Sequence, residues 1–107
     1  MRYYRHLYLA EGLEKKKDKI IRRLEEGRFL PGVYLVTLAE GEGRQLEICS
    51  SLLFLQPSFP RRQLFVAGLA KDYEDALELV EKITQEVYNE TKGTDIRSYI
   101  LEKEQEE

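Results

Sequence analysis

The sequence predicts an α+β domain. It reads as a mainly antiparallel sheet of about four strands with two main helices packed on one face, in the order β-α-β-β-β-α, and a short helix near the C-terminal end. Three observations predict this class. Leu64 to Ala70 is a run without charge, with Phe65 and Val66 suited to a pleated surface and Gly68 allowing close backbone approach. It leads at once into a long stretch of helical periodicity. Earlier, Val33 to Ala39 and Gln45 to Leu55 flank the two-glycine segment Glu40-Gly41-Glu42-Gly43, which has the length of a hairpin connection.

Taken in order, Tyr3 to Leu9 is short and rich in aromatic and aliphatic residues, which favours a strand with Leu7 and Leu9 on one side and His6 and Tyr8 on the other. Periodicity alone leaves open a rival in which the next helix extends back through Leu7 and Ala10. Leu13 to Glu26 forms the first helix, with Leu13, Ile20, Ile21 and Leu24 as a narrow apolar stripe. Lys17 shares that line and must carry its ammonium outward along its stem. Gly27 suits a C-cap, and Pro31-Gly32 marks a turn.

After the hairpin, Gln45 to Leu55 alternates Leu46, Ile48, Leu52 and Phe54 on one face with Glu47, Cys49, Ser51, Leu53 and Leu55 on the other. Gln56 to Gln63, with Pro57 and Pro60, is a loop. In the second helix Asp72 is positioned to cap the first turn, and Glu74 and Asp75 complement the dipole. Tyr73, Ala76, Leu77, Val80, Ile83, Thr84 and Val87 make one stripe toward a core, and Lys92-Gly93 supplies the stop, with Gly93 as the left-handed residue. Asp95 is placed to cap a last helix through Leu101. Residues 1-101 then form a single domain, and Glu102 to Glu107 a charged tail that frays. A ferredoxin-like arrangement, or a permuted relative, fits this order except that no final strand is evident.

Composition narrows the function. A chain of 107 residues makes one core without staples, and a formal net charge of -3 argues against a globally basic nucleic-acid binder. The single cysteine, Cys49, and single histidine, His6, match no metal-ligand spacing, so no metal and no cofactor are expected, and a reducing cytoplasm suits the lone thiol. The N-terminus lacks the apolar core of a signal peptide, and no window approaches the roughly 18 apolar residues of a membrane span.

Four patterns are candidates for chemistry. Lys15, Lys16, Lys17, Lys19, Arg22 and Arg23, near Arg2, Tyr3, Tyr4 and Arg5, interleave cations with aromatics as a phosphate-contacting surface does, although Glu14, Asp18, Glu25 and Glu26 dilute them. Lys15, Lys16, Lys19, Arg22 and Arg23 are the candidate nucleic-acid contacts, against a bland reading as a solvated helix face. Cys49 and His6 form a nominal nucleophile pair, but a mid-strand thiol is more often packing, and Ser50 and Ser51 sit in no nucleophile elbow. The glycines complete neither a dinucleotide fingerprint nor a P-loop, and the carboxylates fall on helix exteriors. Enzyme activity is not expected.

The central strands carry apolar residues on both faces: Val33 and Leu35 against Tyr34, Val36 and Leu38. With helices on one face only, the other would stay uncovered and mark an interface. Tyr34, Val36, Leu38, Leu53 and Leu55 are therefore the candidate contacts for a homodimer or another protein partner, with internal cover by the last helix or the N-terminus as the alternative. The leading expectation is a non-enzymatic cytoplasmic interaction or regulatory module, the second a nucleic-acid-binding module. A small-ligand sensor would need a pocket.

The run from Tyr3-Tyr4-Arg5-His6-Leu7-Tyr8 through Leu64-Phe65-Val66-Ala67-Gly68 to Asp95-Ile96-Arg97 resembles a small bacterial α+β family without an assigned activity. The resemblance covers nearly the whole chain and implies no cofactor and no catalytic residue.

Overall fold

The computed structural model describes residues 1–28, 30–39, 45–59 and 63–106. Four strands, β1 (Arg2–Leu9), β2 (Tyr34–Leu38), β3 (Leu46–Ser50) and β4 (Phe65–Ala70), form one sheet in the order β1-β4-β2-β3. β2 is antiparallel to β3 and to β4, whereas β1 runs parallel to β4. The helices are α1 (Lys17–Glu25), α2 (Tyr73–Thr91) and α3 (Ile96–Gln105). The class is the expected α+β, with the N-terminal segment a strand. The ferredoxin-like arrangement is not seen: among the described residues no strand follows α2, and two antiparallel partners occupy the middle of the sheet.

The uncharged run became β4, one of the two interior strands, and all six of its residues are buried. Gly68 shows why a side chain is excluded there: a Cβ would stand 2.6 Å from Leu79 Cδ2 of α2 and 3.1 Å from the Tyr8 carbonyl oxygen. Asp72 Oδ1 accepts from the Asp75 amide at 2.8 Å and starts α2 as expected. The stop differs by one residue. Lys92, with φ 60°, takes the left-handed position expected of Gly93, and its amide donates to the Tyr88 carbonyl at 2.7 Å.

Alternation assigns the two sheet faces. Val36 and Gly68 are paired, and Gly68 looks at α2, so Tyr34, Val36 and Leu38 lie beneath α2 with their β3 partners Ile48 and Leu46. Leu35 and Thr37 point the other way, yet are only 0% and 1% exposed. That second face is covered by α1, by Leu30 and by a 3₁₀ segment, Ser51–Leu55, with buried Phe54. Tyr3 of β1 faces this layer, where burial and then the nearby Glu25 carboxylate of α1 raise its phenol pKa. Ser51 Oγ donates to the Leu30 carbonyl at 2.6 Å, and the Ser51 amide to the Val33 carbonyl at 3.0 Å, pinning the segment to the sheet. α2 and α3 share one face, and the first helix lies on the opposite one.

Several boundaries are corrected by local chemistry. The expected strand to Leu55 stops at Ser50, whose side-chain oxygen accepts from the Leu52 amide at 3.2 Å and turns the chain into the 3₁₀ segment. The first helix opens as 3₁₀ over Glu14–Lys16 before α1, without a side-chain cap. The stripe of α2 is rotated from its expected centre: Ala76, Leu79, Ile83 and Val87 are buried, whereas Tyr73 and Leu77 are exposed. The expected tail is mostly helix. α3 continues to Gln105, and the Arg5 amide donates to Glu104 Oε1 at 2.7 Å. The expected hairpin loop at Glu40 to Gly43 and the loop residue Pro60 lie outside the described residues.

Candidate functional site

Three surfaces can do something chemical, and the first belongs to the expected interface. Val36 and Leu38 are buried within the chain, 0% and 7% exposed. The uncovered sheet face that would have displayed them does not exist, because α2 and α3 lie over it. Leu53 is half-buried and Leu55 half-exposed on the 3₁₀ segment of the opposite layer. Tyr34 alone reaches an apolar surface on the α2 side, its ring 5.9 Å from that of Tyr73 in an edge-on contact.

From Tyr73 that surface runs along the outer flank of α2. Tyr73, Leu77, Val80, Thr84 and Tyr88 recur at intervals of three or four and share one face of the helix. Tyr73, Leu77 and Tyr88 are 52%, 43% and 49% exposed. Beside them, Ile48 and Leu46 of β3 are half-buried on the same side of the sheet. β3 is an edge strand, paired among the described residues only with β2, so its outer backbone groups face away from the sheet.

The second surface gathers part of the basic cluster. Lys16, Lys19 and Arg23 fall at spacings of three and four and line one cleft of about 300 Å³ with Ile20, Leu30 and Val33 at its floor. None of the three cations has an ion-pair partner among the described residues. Lys71 stands at the same cleft but is committed, its Nζ lying 2.6 Å from Asp75 Oδ2 and donating to the Glu11 carbonyl at 3.3 Å. Lys15 and Arg22 are exposed and line no part of it, and Lys17 is half-buried. The structure thus splits the cluster: Lys16, Lys19 and Arg23 converge, and the other cations diverge.

The nominal nucleophile pair is taken apart. His6 is on β1 and Cys49 on β3, opposite edges of the sheet and roughly 14 Å apart across three strand spacings. Burial, assisted by the Glu47 carboxylate, pushes the Cys49 thiol up to about 11, and its Sγ contacts the Ser50 carbonyl at 3.6 Å. A thiol held neutral in a strand is a packing group.

The third surface escaped the sequence reading. Between Tyr3 and Tyr8 the register slips so that residues 4–7 of β1 stand against Ala67 alone. The slip aims Tyr4, His6 and Tyr8 toward α2 and α3, where they meet Glu86, Glu90, Tyr99, Lys103 and Glu106 around a cleft of about 490 Å³. The Tyr8 and Tyr99 hydroxyls both donate to Glu86 Oε2, the latter at 3.3 Å. Tyr4 is buried, edge-on to His6 at 5.5 Å and tilted against Tyr8 at 5.9 Å. Burial, with neighbouring phenols and carboxylates, pushes Tyr4 up to about 12, and burial and Glu86 also raise Tyr8 and Tyr99. All three rings stay neutral donors at ordinary pH. The signal in sequence was the i, i+2, i+4 spacing of Tyr4, His6 and Tyr8. Their partners, 78 residues away for Glu86 and beyond, were invisible without the register slip.

Among the described residues no group of three or more His, Cys, Asp and Glu side chains is arranged to hold a metal ion, and no helix is long and apolar enough to cross a membrane. No family model matches the chain, and neither a curated protein nor a solved structure matches it.

Proposed function

We propose that this protein is a non-enzymatic cytoplasmic interaction module that works as a homodimer, joined along the β3 edge and the outer flank of α2. The observation that carries the reading is the continuous apolar strip Tyr73, Leu77 and Tyr88, each about half exposed, beside an edge strand. A second copy related by a two-fold axis would set β3 against β3 and α2 antiparallel to α2, so that Tyr73 of one meets Tyr88 of the other. Such packing buries aromatic area at the centre of the contact, where it stabilises association most. Sedimentation across a concentration series tests it. The native chain is expected to run as a dimer at micromolar concentration, and Leu77→Glu with Tyr88→Glu as a folded monomer. A native chain that stays monomeric at high micromolar concentration overturns the reading.

A second reading, binding of nucleic acid or another polyphosphate, is favoured by one observation: Lys16, Lys19 and Arg23 converge on one cleft without partner carboxylates among the described residues. Its expected signature is RNA binding that weakens steeply with salt as counterions are released. It is expected to vanish in a Lys16/Lys19/Arg23→Glu variant and to survive in Lys15→Glu with Arg22→Glu. Equal losses in both variants would reject the cleft as the contact.

A further inference from the structure

We propose that the cleft between β1, α2 and α3 is a binding site for a linear aliphatic polyamine, held between tyrosine rings and the carboxylates of Glu86, Glu90 and Glu106. It lies on the opposite flank of α2 from the apolar strip and does not depend on the dimer.

Three features point to this ligand class. The walls are aromatic: Tyr4, Tyr8 and Tyr99 line the cleft, and the faces of tyrosine rings attract ammonium groups. The charge has the matching sign, since three carboxylates line the cleft with one ammonium, that of Lys103, and one imidazole, that of His6. The protein itself shows how an ammonium sits in this setting. Lys103 Nζ lies over the Tyr99 ring, 5.7 Å from its centroid, and 3.7 Å from Glu106 Oε1.

Geometry then favours several ammonium groups over one. Glu86 is half-buried and lines the cleft, and its Oε2 is already held by two phenols. Glu90 is one helical turn further along α2 and exposed, and Glu106 is exposed on α3. A compact quaternary ammonium would satisfy only one of these positions. A chain with ammonium groups separated by methylenes reaches the inner carboxylate and the rim together and lays its apolar spacers along the rings. Because the phenols stay neutral, the hydroxyls of Tyr8 and Tyr99 keep donating to Glu86 and fix it in place while the ligand exchanges.

Titration calorimetry of the full chain with spermidine, at constant ionic strength, tests the site. Saturable one-to-one binding is expected. Because Glu86 also anchors two phenols, its removal risks the fold, so the informative variant is Glu90→Gln with Glu106→Gln, both at exposed positions. It is expected to bind spermidine about tenfold more weakly, one or two charge-assisted contacts being lost. Lys103→Ala, which removes the resident ammonium, is expected to bind more tightly than the native chain. Tetramethylammonium is expected to bind more weakly than spermidine, and magnesium chloride to leave spermidine bound. Absence of saturable binding at millimolar spermidine overturns the proposal. So does an unchanged affinity in the Glu90/Glu106 variant, or displacement by magnesium as effective as by spermidine itself, which would reduce the site to diffuse charge.

Discussion

On one side of the sheet lies a 19-residue helix with a side-chain N-cap, and on the other a nine-residue helix with none, helped by 3₁₀ turns. Both coverings exclude water equally well: Ile83 beneath the first and Leu24 beneath the second are each 0% exposed. They differ in what they leave at the surface. The regular side offers a cleft of tyrosines and carboxylates, and the irregular side a cleft rimmed by Lys16, Lys19 and Arg23. Sealing a core does not require regular structure, only apolar groups at the right height above the pleat and partners for the backbone polar groups. The 3₁₀ side meets the second need with Ser50 and Ser51, the helical side with its own ladder.

The largest expected effect asks whether the two coverings belong to one core. Leu24→Ala and Ile83→Ala each delete a fully buried side chain and are each expected to cost about 2–5 kcal/mol. Urea unfolding followed by circular dichroism should show single transitions for both. A loss far smaller for Leu24→Ala, or a separate early transition, would mean that α1 is an appendage rather than half of the core.

Next in size is Gly68→Val, which forces side-chain atoms into Leu79 and the Tyr8 carbonyl and should cost about 1–3 kcal/mol. A neutral result would mean that α2 slides freely over β4. The capping contrast is smaller. Asp72→Ala should lose about 1 kcal/mol, because the Asp75 amide loses its acceptor. Lys16→Ala, at the uncapped start of α1, should change stability by less than about 0.5 kcal/mol. Similar losses would erase the distinction between the two helix starts.

The smallest effect is alkaline. Burial favours the neutral phenols of Tyr4, Tyr8 and Tyr99, so their folded pKa values lie above the unfolded value of about 10. Their contribution to stability is present below about pH 10 and is lost as pH rises through the folded values. Phenolate absorbance of the native chain should therefore lag that of the urea-unfolded chain. Coincident curves would mean that water reaches the tyrosine cleft freely.

The same contrast explains what could be read in advance. β4 and α2 announce themselves because each obeys one period, and Asp72 marks the start between them. Asp95 does the same for α3, its carboxylate accepting from the Ser98 amide at 3.1 Å and held below its usual range mainly by that backbone contact. The irregular side is different. Leu52 to Leu55 is an unbroken apolar run that a buried strand could also carry, and the local bond from the Leu52 amide to Ser50 Oγ decides for 3₁₀. With both main helices on one face the other would be bare and would carry Val36 and Leu38; instead α2 lies over those two residues, and α1 with the 3₁₀ segment covers the Leu35 face. Tyr34 survives in the new strip only because it sits at the end of β2, where α2 begins. The tyrosine cleft was hidden for a further reason. Its parts are spread from residue 4 to residue 106 and are brought together by a register slip that no composition or period encodes.

The position of β4 has a consequence for how the chain comes to be folded. The interior strand β4 is the last of the four to leave the ribosome; until it arrives β1 has no partner and β2 has only β3. A nascent chain ending before Leu64 carries two edge-forming pieces with nothing between them, so it should show no protected amides in hydrogen exchange. Acquisition of structure is then a late event dominated by loop closure over some sixty residues between β1 and β4, which places refolding with the slower mixed topologies rather than with helical bundles.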